Sequence, residues 1–553
     1  MTSITVGEFL FDYLYRQGVR DAFGIPGDFA LPTFRWLERS KLRLITLTHE
    51  PSVGFAADGY ARMTGLGVAC VTYCVGGLNM LNAVACAYAE KSPLLVISGG
   101  PGINDRKRDP LLHHKVRTFD TQRRIFEEVT CATTILSDAE TAAAEIMRVV
   151  EEVKAHCRPG YIEIPYDIVD MPVKLPPLKN VALPTSDPEN LDACLHEAIE
   201  MIGRAERPVI VADVELHRHG LTDIAVAIAE KFRIPIAATL LSKSVISETN
   251  PNYIGVYSGG LSEPACQEYV ENSDCVILLG AFITDVFLGL YTAKLDRKKC
   301  ILATTEKTQI GLHGYDDIIF KEFLEGLRDA SITPKKAIKN PNPPVEPKPL
   351  TDKERGEQLG VEDFFRILSL TMKEGTNVVC DTGDALIGAI GLRTSKRNNF
   401  LSDAYYLSMG FAVPAAIGAM AADPNGRTIA IVGDGAFQMT GIELSTVAKE
   451  NMKPIVCIIN NDGYGTQRHI IDGKFNNIHP WKYTKICDLL GYGKGVRVTT
   501  KGELETTLKA AFADPDEMVL IEVVVPRDNC SPSLKRMGEQ MSKERDVNKR
   551  GKH

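Results

Sequence analysis

At 553 residues the chain is too long for one hydrophobic core, so several domains are expected. Its 44% hydrophobic and 24% charged residues are ordinary values for a soluble globular protein. A net charge of -8 argues against nucleic acid or an anionic membrane surface as the main partner.

The N-terminus, Met1 to Glu8, has no basic region followed by an apolar one and does not read as a signal peptide. No run of about 18 apolar residues marks a transmembrane helix. The 13 cysteines are an odd number, thinly spread and without paired zinc spacing, which fits free thiols in a reducing, cytoplasmic protein. Val68–Thr72 and Leu94–Ser98 are strand-like, with the Ala-rich stretch Met80–Glu90 between them. Residues 171–190 carry five prolines and no helical period, the pattern of a linker. Strand-like runs resume at Val209–Ala212, Ile234–Ala238 and Cys275–Leu279, and a second Pro- and Lys-rich linker spans 333–355. The last third has Asn377–Cys380, Thr428–Val432, Ile455–Asn460 and Val519–Val525. Short β-branched runs alternating with helical patterns predict three doubly wound, parallel-sheet α/β domains, over 1–180, 190–335 and 355–553. The middle one has no G-x-G-x-x-G after a strand, so nicotinamide or flavin binding has little support there.

The strongest chemical signal lies in the third domain. Thr428–Val432 runs directly into Gly433-Asp434-Gly435, and a helix is expected to begin at Thr440, with Glu443 at capping-box spacing. The next apolar strand ends in Asn460-Asn461-Asp462-Gly463. Asp434 and Asn461 are thus expected at the carboxyl ends of two nearby parallel strands, where open α/β sheets bind ligands. A carboxylate, an amide oxygen and a backbone carbonyl make a Mg²⁺ set left open for phosphate oxygens and water. Each motif alone is also an ordinary turn; together, 27 residues apart, they point to a metal and a diphosphate.

Gly-Asp-Gly followed by Asn-Asn at this distance resembles the thiamine-diphosphate motif. The resemblance covers almost the whole chain and is to the 2-oxo acid decarboxylases, particularly the phenylpyruvate and indolepyruvate decarboxylases. It rests on FGIPGDFALP (23–32), HEPSVGFAADGYAR (49–62), AYAEKSPLLVISGGPG (87–102), LLHHKVRTFDTQ (111–122) and VGDGAFQMTG (432–441). It implies thiamine diphosphate and Mg²⁺ as cofactors, with Asp434, Asn461 and the Gly463 carbonyl on the metal. Gly433, Gly435, Ala436 and Phe437 accompany Asp434 in the cofactor site, as do Thr382, Gly383 and Asp384. Met409 matches the apolar residue that bends the cofactor, and the Leu407 carbonyl matches the partner of its amino group.

The resemblance also assigns the reaction chemistry. Glu50, at a strand-to-helix corner, matches the carboxyl group that stabilises the cofactor's imino tautomer. Asp28, His113 and His114 match the proton-relay residues, and imidazole titrates near neutrality. Synthases that join two pyruvates typically lack the histidine pair, so the pair favours decarboxylation. One departure stands out: Gln467 occupies the place of a catalytic Glu in the pyruvate-decarboxylase pattern, and an amide cannot trade a proton. Asp285 matches an Asp near the reaction centre in the phenylpyruvate branch. Leu386, Thr466 and Ile470 are expected to line the substrate pocket, with Leu386 and Thr466 standing where pyruvate-specific relatives have Trp and Ile. The expected activity is non-oxidative decarboxylation of a 2-oxo acid, aromatic first and branched or long-chain aliphatic next. The alternatives are an acetolactate-synthase-like carboligase and a degenerate cofactor-binding regulatory subunit. A homodimer at minimum, or a homotetramer, is expected, because the matching sites join different subunits.

Overall fold

The computed structural model describes residues 4–176, 184–336, 339–343 and 347–539. Residues 177–183 of the first expected linker, and 337–338 and 344–346 of the second, lie outside the described residues. Three sheets appear in chain order. The first contains β1 (Asp21–Gly24), β2 (Arg43–Thr46), β3 (Gly67–Val71), β4 (Leu94–Gly100), β5 (Ala132–Ile135) and β6 (Gly160–Pro165). The second contains β7 (Pro208–Ala212), β8 (Ile236–Ala238), β9 (Tyr253–Val256), β10 (Cys275–Leu279), β11 (Cys300–Ala303), β12 (Thr308–Ile310) and β13 (His313–Tyr315). The third contains β14 (Asn377–Cys380), β15 (Phe400–Ser402), β16 (Thr428–Gly433), β17 (Ile455–Asn460), β18 (Lys494–Val498) and β19 (Val519–Val524).

The first and third sheets share one topology. Their orders, β2-β1-β3-β4-β6-β5 and β15-β14-β16-β17-β19-β18, are the same path, and every pairing is parallel. Strands such as β3, β4, β14 and β17 are buried at every residue, which is why they read as continuous apolar runs. The path reverses direction between β1 and β3, and again between β14 and β16. Those are topological switch points, whose carboxyl edges open into a crevice.

The central sheet, ordered β13-β12-β11-β10-β7-β8-β9, departs from parallel pairing at one edge. There β12 pairs antiparallel with both β11 and β13. Thr304–Lys307 and Gly311–Leu312 are too short for a crossover helix, so the chain can only turn back.

The helices Glu50–Thr64 and Ala412–Ala422 follow the second strand of their respective sheets and lie backbone against backbone. A Cβ at Gly418 would sit 2.0 Å from the Ala56 carbonyl, and one at Gly59 would sit 2.6 Å from the Ala415 carbonyl. Buried Arg62 on the first helix bonds Asp58, Glu90 and the Ser402 carbonyl, tying the first domain to the third. No helix among the described residues is long and apolar enough to cross a membrane.

Candidate active site

Asp434 begins a helix, Asp434–Thr440, at the end of β16. This corrects the expectation of a helix starting at Thr440 with a capping box: Thr440 is the helix's last residue. Its hydroxyl donates to the Gly410 carbonyl (2.8 Å), and Glu443 accepts from the hydroxyl of Thr48 (2.7 Å) in the first domain. Tertiary partners took both groups that a local cap would have used.

The Asp434 carboxylate is 1% exposed and accepts the N–H groups of Gly435 (2.8 Å) and Gly463 (2.9 Å). Burial pushes its carboxyl up to about 6 despite those bonds. The two neighbouring asparagines have different places. Asn460 is buried and donates to Glu522 (2.9 Å), whereas Asn461 lies on a cavity wall. Gly463 has φ +136, and a Cβ there would meet the Asn476 carbonyl at 2.1 Å, so only glycine lets this loop fold back. Arg468, which spacing did not single out, holds the loop by donating to the Asn461 carbonyl (2.7 Å).

Across the switch point, the segment after β14 carries Thr382, Gly383 and Asp384. The Asp384 carboxylate accepts the N–H of Ser531 (2.7 Å) and bonds its hydroxyl, anchoring the C-terminal segment. Asp381, one residue before Thr382, opens the Asp-Thr-Gly-Asp run, and spacing alone does not mark it. It is fully buried and accepts the N–H groups of Gly410 (3.0 Å) and Ala412 (2.8 Å). Those bonds set the bend that carries Leu407, itself at φ +58, and Met409. Burial pushes the Asp381 carboxyl up to about 6.

These groups enclose a cavity of about 360 Å³. Gly433, Asp434, Gly435, Ala436, Asn461 and Gly463 line it, and so do Thr382, Gly383, Asp384, Leu407 and Met409. Leu386, Thr466, Gln467 and Ile470 complete the set of expected residues on its walls. The Phe437 side chain lies instead in the core, edge to face with Tyr483. Asp285 is not on the wall either; its carboxylate accepts the N–H of Val286 (2.9 Å), and Val286 is the residue that faces the cavity.

A second group forms at the switch point of the first sheet. Asp28, after β1, is 2.5 Å from His113 Nε2, and ligating atoms of Asp28, His113 and His114 all lie within 4.8 Å of one another. Phe29 stacks on the His113 ring at 4.7 Å between centroids. Partial burial pushes the Asp28 carboxyl up, but the His113 bond and the Phe29 N–H outweigh it and hold the carboxyl below its ordinary value. Glu50 is the first residue of its helix and accepts from Asn79 Nδ2 (2.7 Å), another partner that spacing does not reveal. None of Asp28, Glu50, His113 and His114 lines the cavity of the third domain of the same chain.

Residues 4–123 match the thiamine pyrophosphate enzyme N-terminal TPP binding domain, 195–320 the central domain, and 381–523 the C-terminal TPP binding domain. The chain belongs to the thiamine pyrophosphate enzyme family. Indole-3-pyruvate decarboxylase of Azospirillum brasilense is 37% identical over 537 residues, covering 96% of this chain and 97% of that protein. An alpha-keto-acid decarboxylase of Mycolicibacterium paratuberculosis is 33% identical over 537 residues (95% and 94%). Pyruvate decarboxylase 4 of Arabidopsis thaliana is 31% identical over 554 residues (97% and 92%).

The cavity fits the family's cofactor, thiamine pyrophosphate. A Cβ at Gly433 would meet nothing within 4 Å, leaving open space at the mouth of the helix whose N–H groups suit an anion. Among the described residues the buried Asp434 carboxylate has two N–H donors and no ion pair, an environment that a hard divalent cation would complete.

Proposed function

We propose that the protein is a thiamine-pyrophosphate- and Mg²⁺-dependent 2-oxo acid decarboxylase that releases an aldehyde and CO₂ without oxidation. The observation that carries this reading is the Asp28–His113–His114 cluster, a proton-transfer group at the switch point of a family-matched N-terminal domain. The relatives named above are all decarboxylases, in agreement with it.

The cofactor, when bound, supplies the electron sink that amino-acid side chains lack. Asp434, Asn461 and the Gly463 carbonyl would hold Mg²⁺, and the Gly433–Ala436 turn would take the diphosphate. Met409 and the bend fixed by Asp381 would support the ring system. Glu50, oriented by Asn79, would hold a proton at the ring nitrogen of the aminopyrimidine. Asp28, His113 and His114 would pass a proton to the carbon that has lost CO₂. Gln467 would hydrogen-bond the substrate without exchanging a proton.

Two half-sites on one chain that do not share a cavity support a homodimer at minimum, each site drawing Glu50 and the histidines from one subunit and Asp434 from the other. Pairing of dimers gives the proposed homotetramer. Met439, Ile442, Ile470 and Phe475, exposed near the third-domain site, suit such an interface. Free and mostly buried thiols support a cytoplasmic compartment. Aromatic 2-oxo acids are the first proposed substrates and long or branched aliphatic ones the next, supported by Leu386 and Ile470 on the wall.

Incubation with pyruvate, 4-methyl-2-oxopentanoate, 2-oxooctanoate and phenylpyruvate tests the reading. Aldehyde and stoichiometric CO₂ are expected; acetoin-type products as the main outcome would make it a carboligase. A fully active monomer in sedimentation would overturn the shared site.

A further inference from the structure

The proposed chemistry gives the central sheet no role, yet its carboxyl edge reaches the cavity. Leu240 stands two residues past β8, Leu261 follows β9, and Val286 and Leu290 follow β10. All four line the cavity and belong to one hydrophobic cluster with Leu386, Ile387 and Met537. The polar side chains of the cavity, Asp434, Asn461, Tyr464, Thr466 and Gln467 among them, all come from the third domain. The central domain therefore contributes only apolar side chains to the cavity, beside apolar residues of the third domain such as Leu386, Ile387 and Met537.

The apolar wall is built firmly. Gly289, Leu290 and Tyr291 are three consecutive residues with left-handed backbone, at φ +57, +55 and +67. A leucine rarely adopts that conformation, and residues so held cluster at ligand sites. The Leu290 N–H donates to the Asp285 carbonyl (2.7 Å), and the Gly289 N–H to the Val286 carbonyl (2.9 Å). Thr292 clasps this loop to the one after β9: its hydroxyl donates to the Gly289 carbonyl (2.7 Å) and accepts the Gly260 N–H (2.7 Å). A Cβ on Gly289 would meet the Ser258 carbonyl at 2.5 Å, so the two loops touch. The loop's own carboxylate, Asp285, accepts the N–H of Val286 and is not on the cavity wall.

We infer that the central domain is the selectivity element of the enzyme. Leu240, Leu261, Val286 and Leu290 form an end wall that accepts phenyl and alkyl substrate side chains and rejects those with a hydrogen-bonding tip. A phenol hydroxyl pushed against this wall loses its water and finds no side-chain partner among these four. The inference rests on the decarboxylase reading and names the substrate class of that site.

The test compares kcat/KM of the holoenzyme for phenylpyruvate and 4-hydroxyphenylpyruvate, which differ by one hydroxyl. The wild type is expected to prefer phenylpyruvate by about 10- to 100-fold, the usual reach of an apolar pocket against an added hydroxyl. Leu290→Asn places an amide on the wall in a residue that tolerates left-handed backbone, and it is expected to lower that ratio about tenfold. Leu290→Ala removes bulk without adding a partner and is expected to leave the ratio near the wild-type value. Should Leu290→Asn not fold, the near-isosteric Val286→Thr makes the same comparison. A wild-type ratio near one overturns the inference, as does an unchanged ratio in an active Asn or Thr variant. Absence of CO₂ from every 2-oxo acid, pyruvate included, overturns the decarboxylase reading itself; CO₂ release with unaltered selectivity overturns only the wall.

Discussion

Replacing Asp434 with asparagine separates the stability cost of the site from its function. Burial raises the folded carboxyl from 3.8 to about 6. At about 1.4 kcal/mol for each tenfold change, a charged Asp434 in the cofactor-free protein is worth about 3 kcal/mol of lost stability. The folded state holds this proton more tightly than the unfolded chain does. The stabilising contribution is therefore complete below about pH 3.8 and is lost as pH rises through about 6, with about 2 kcal/mol going between pH 4.5 and 7.5. Asp434→Asn has no charge to bury, but it leaves one of the two N–H donors, Gly435 or Gly463, facing an amide. That mismatch costs about 1–3 kcal/mol and is independent of pH. The variant should consequently gain about 2 kcal/mol on the wild type as pH rises from about 4.5 to 7.5, whatever its absolute stability. Thermal or urea unfolding of both cofactor-stripped proteins at the two pH values measures this double difference. At pH 7.5 Mg²⁺ and thiamine pyrophosphate should stabilise the wild type and leave Asp434→Asn nearly unmoved. A double difference near zero, or of opposite sign, would refute the claim that this carboxylate waits buried for a cation.

Glu50→Gln should retain cofactor yet lose about 10²- to 10⁴-fold in turnover, because an amide cannot hold the proton in the same way; near-normal turnover would remove Glu50 from the mechanism. Gly463→Ala puts a Cβ against the Asn476 carbonyl in backbone of φ +136, and it should cost about 1–3 kcal/mol and loosen cofactor retention on gel filtration. Gln467→Glu should leave kcat within about tenfold, since Asp28 and the histidines already offer proton transfer and a new carboxylate would repel an anionic substrate. A rise of about 10²-fold or more in single-turnover measurements would show instead that the position lacks an acid it needs.

The strands that carry the third-domain cavity were largely legible in the chain because their signals are local. β16 and β17 are buried on both faces and so appear as unbroken apolar runs, and the residues at their ends must turn. Thr440 and Glu443 misled for the converse reason. Their spacing suits a helix cap, but a cap bond is worth about 1 kcal/mol, and partners 30 and 395 residues away claimed both groups. The antiparallel edge of the central sheet was equally hidden, since periodicity does not report which way a short strand runs.

What the sequence by itself determined is therefore the alternation of strand and helix, the three domains, and the residue types at the strand ends that suit a metal, a diphosphate and a proton relay. Only the tertiary structure decided that Asn461 rather than Asn460 reaches the cavity, that Asp381 sets the bend beneath Met409, and that Asn79 orients Glu50. It alone brought leucines from the central domain against the third-domain cavity, and left the histidine cluster off that cavity. Strands and turns follow from backbone hydrogen bonding and burial within a few residues. The partner of a buried side chain follows from which distant segments close over it, and that is settled only when the whole core packs.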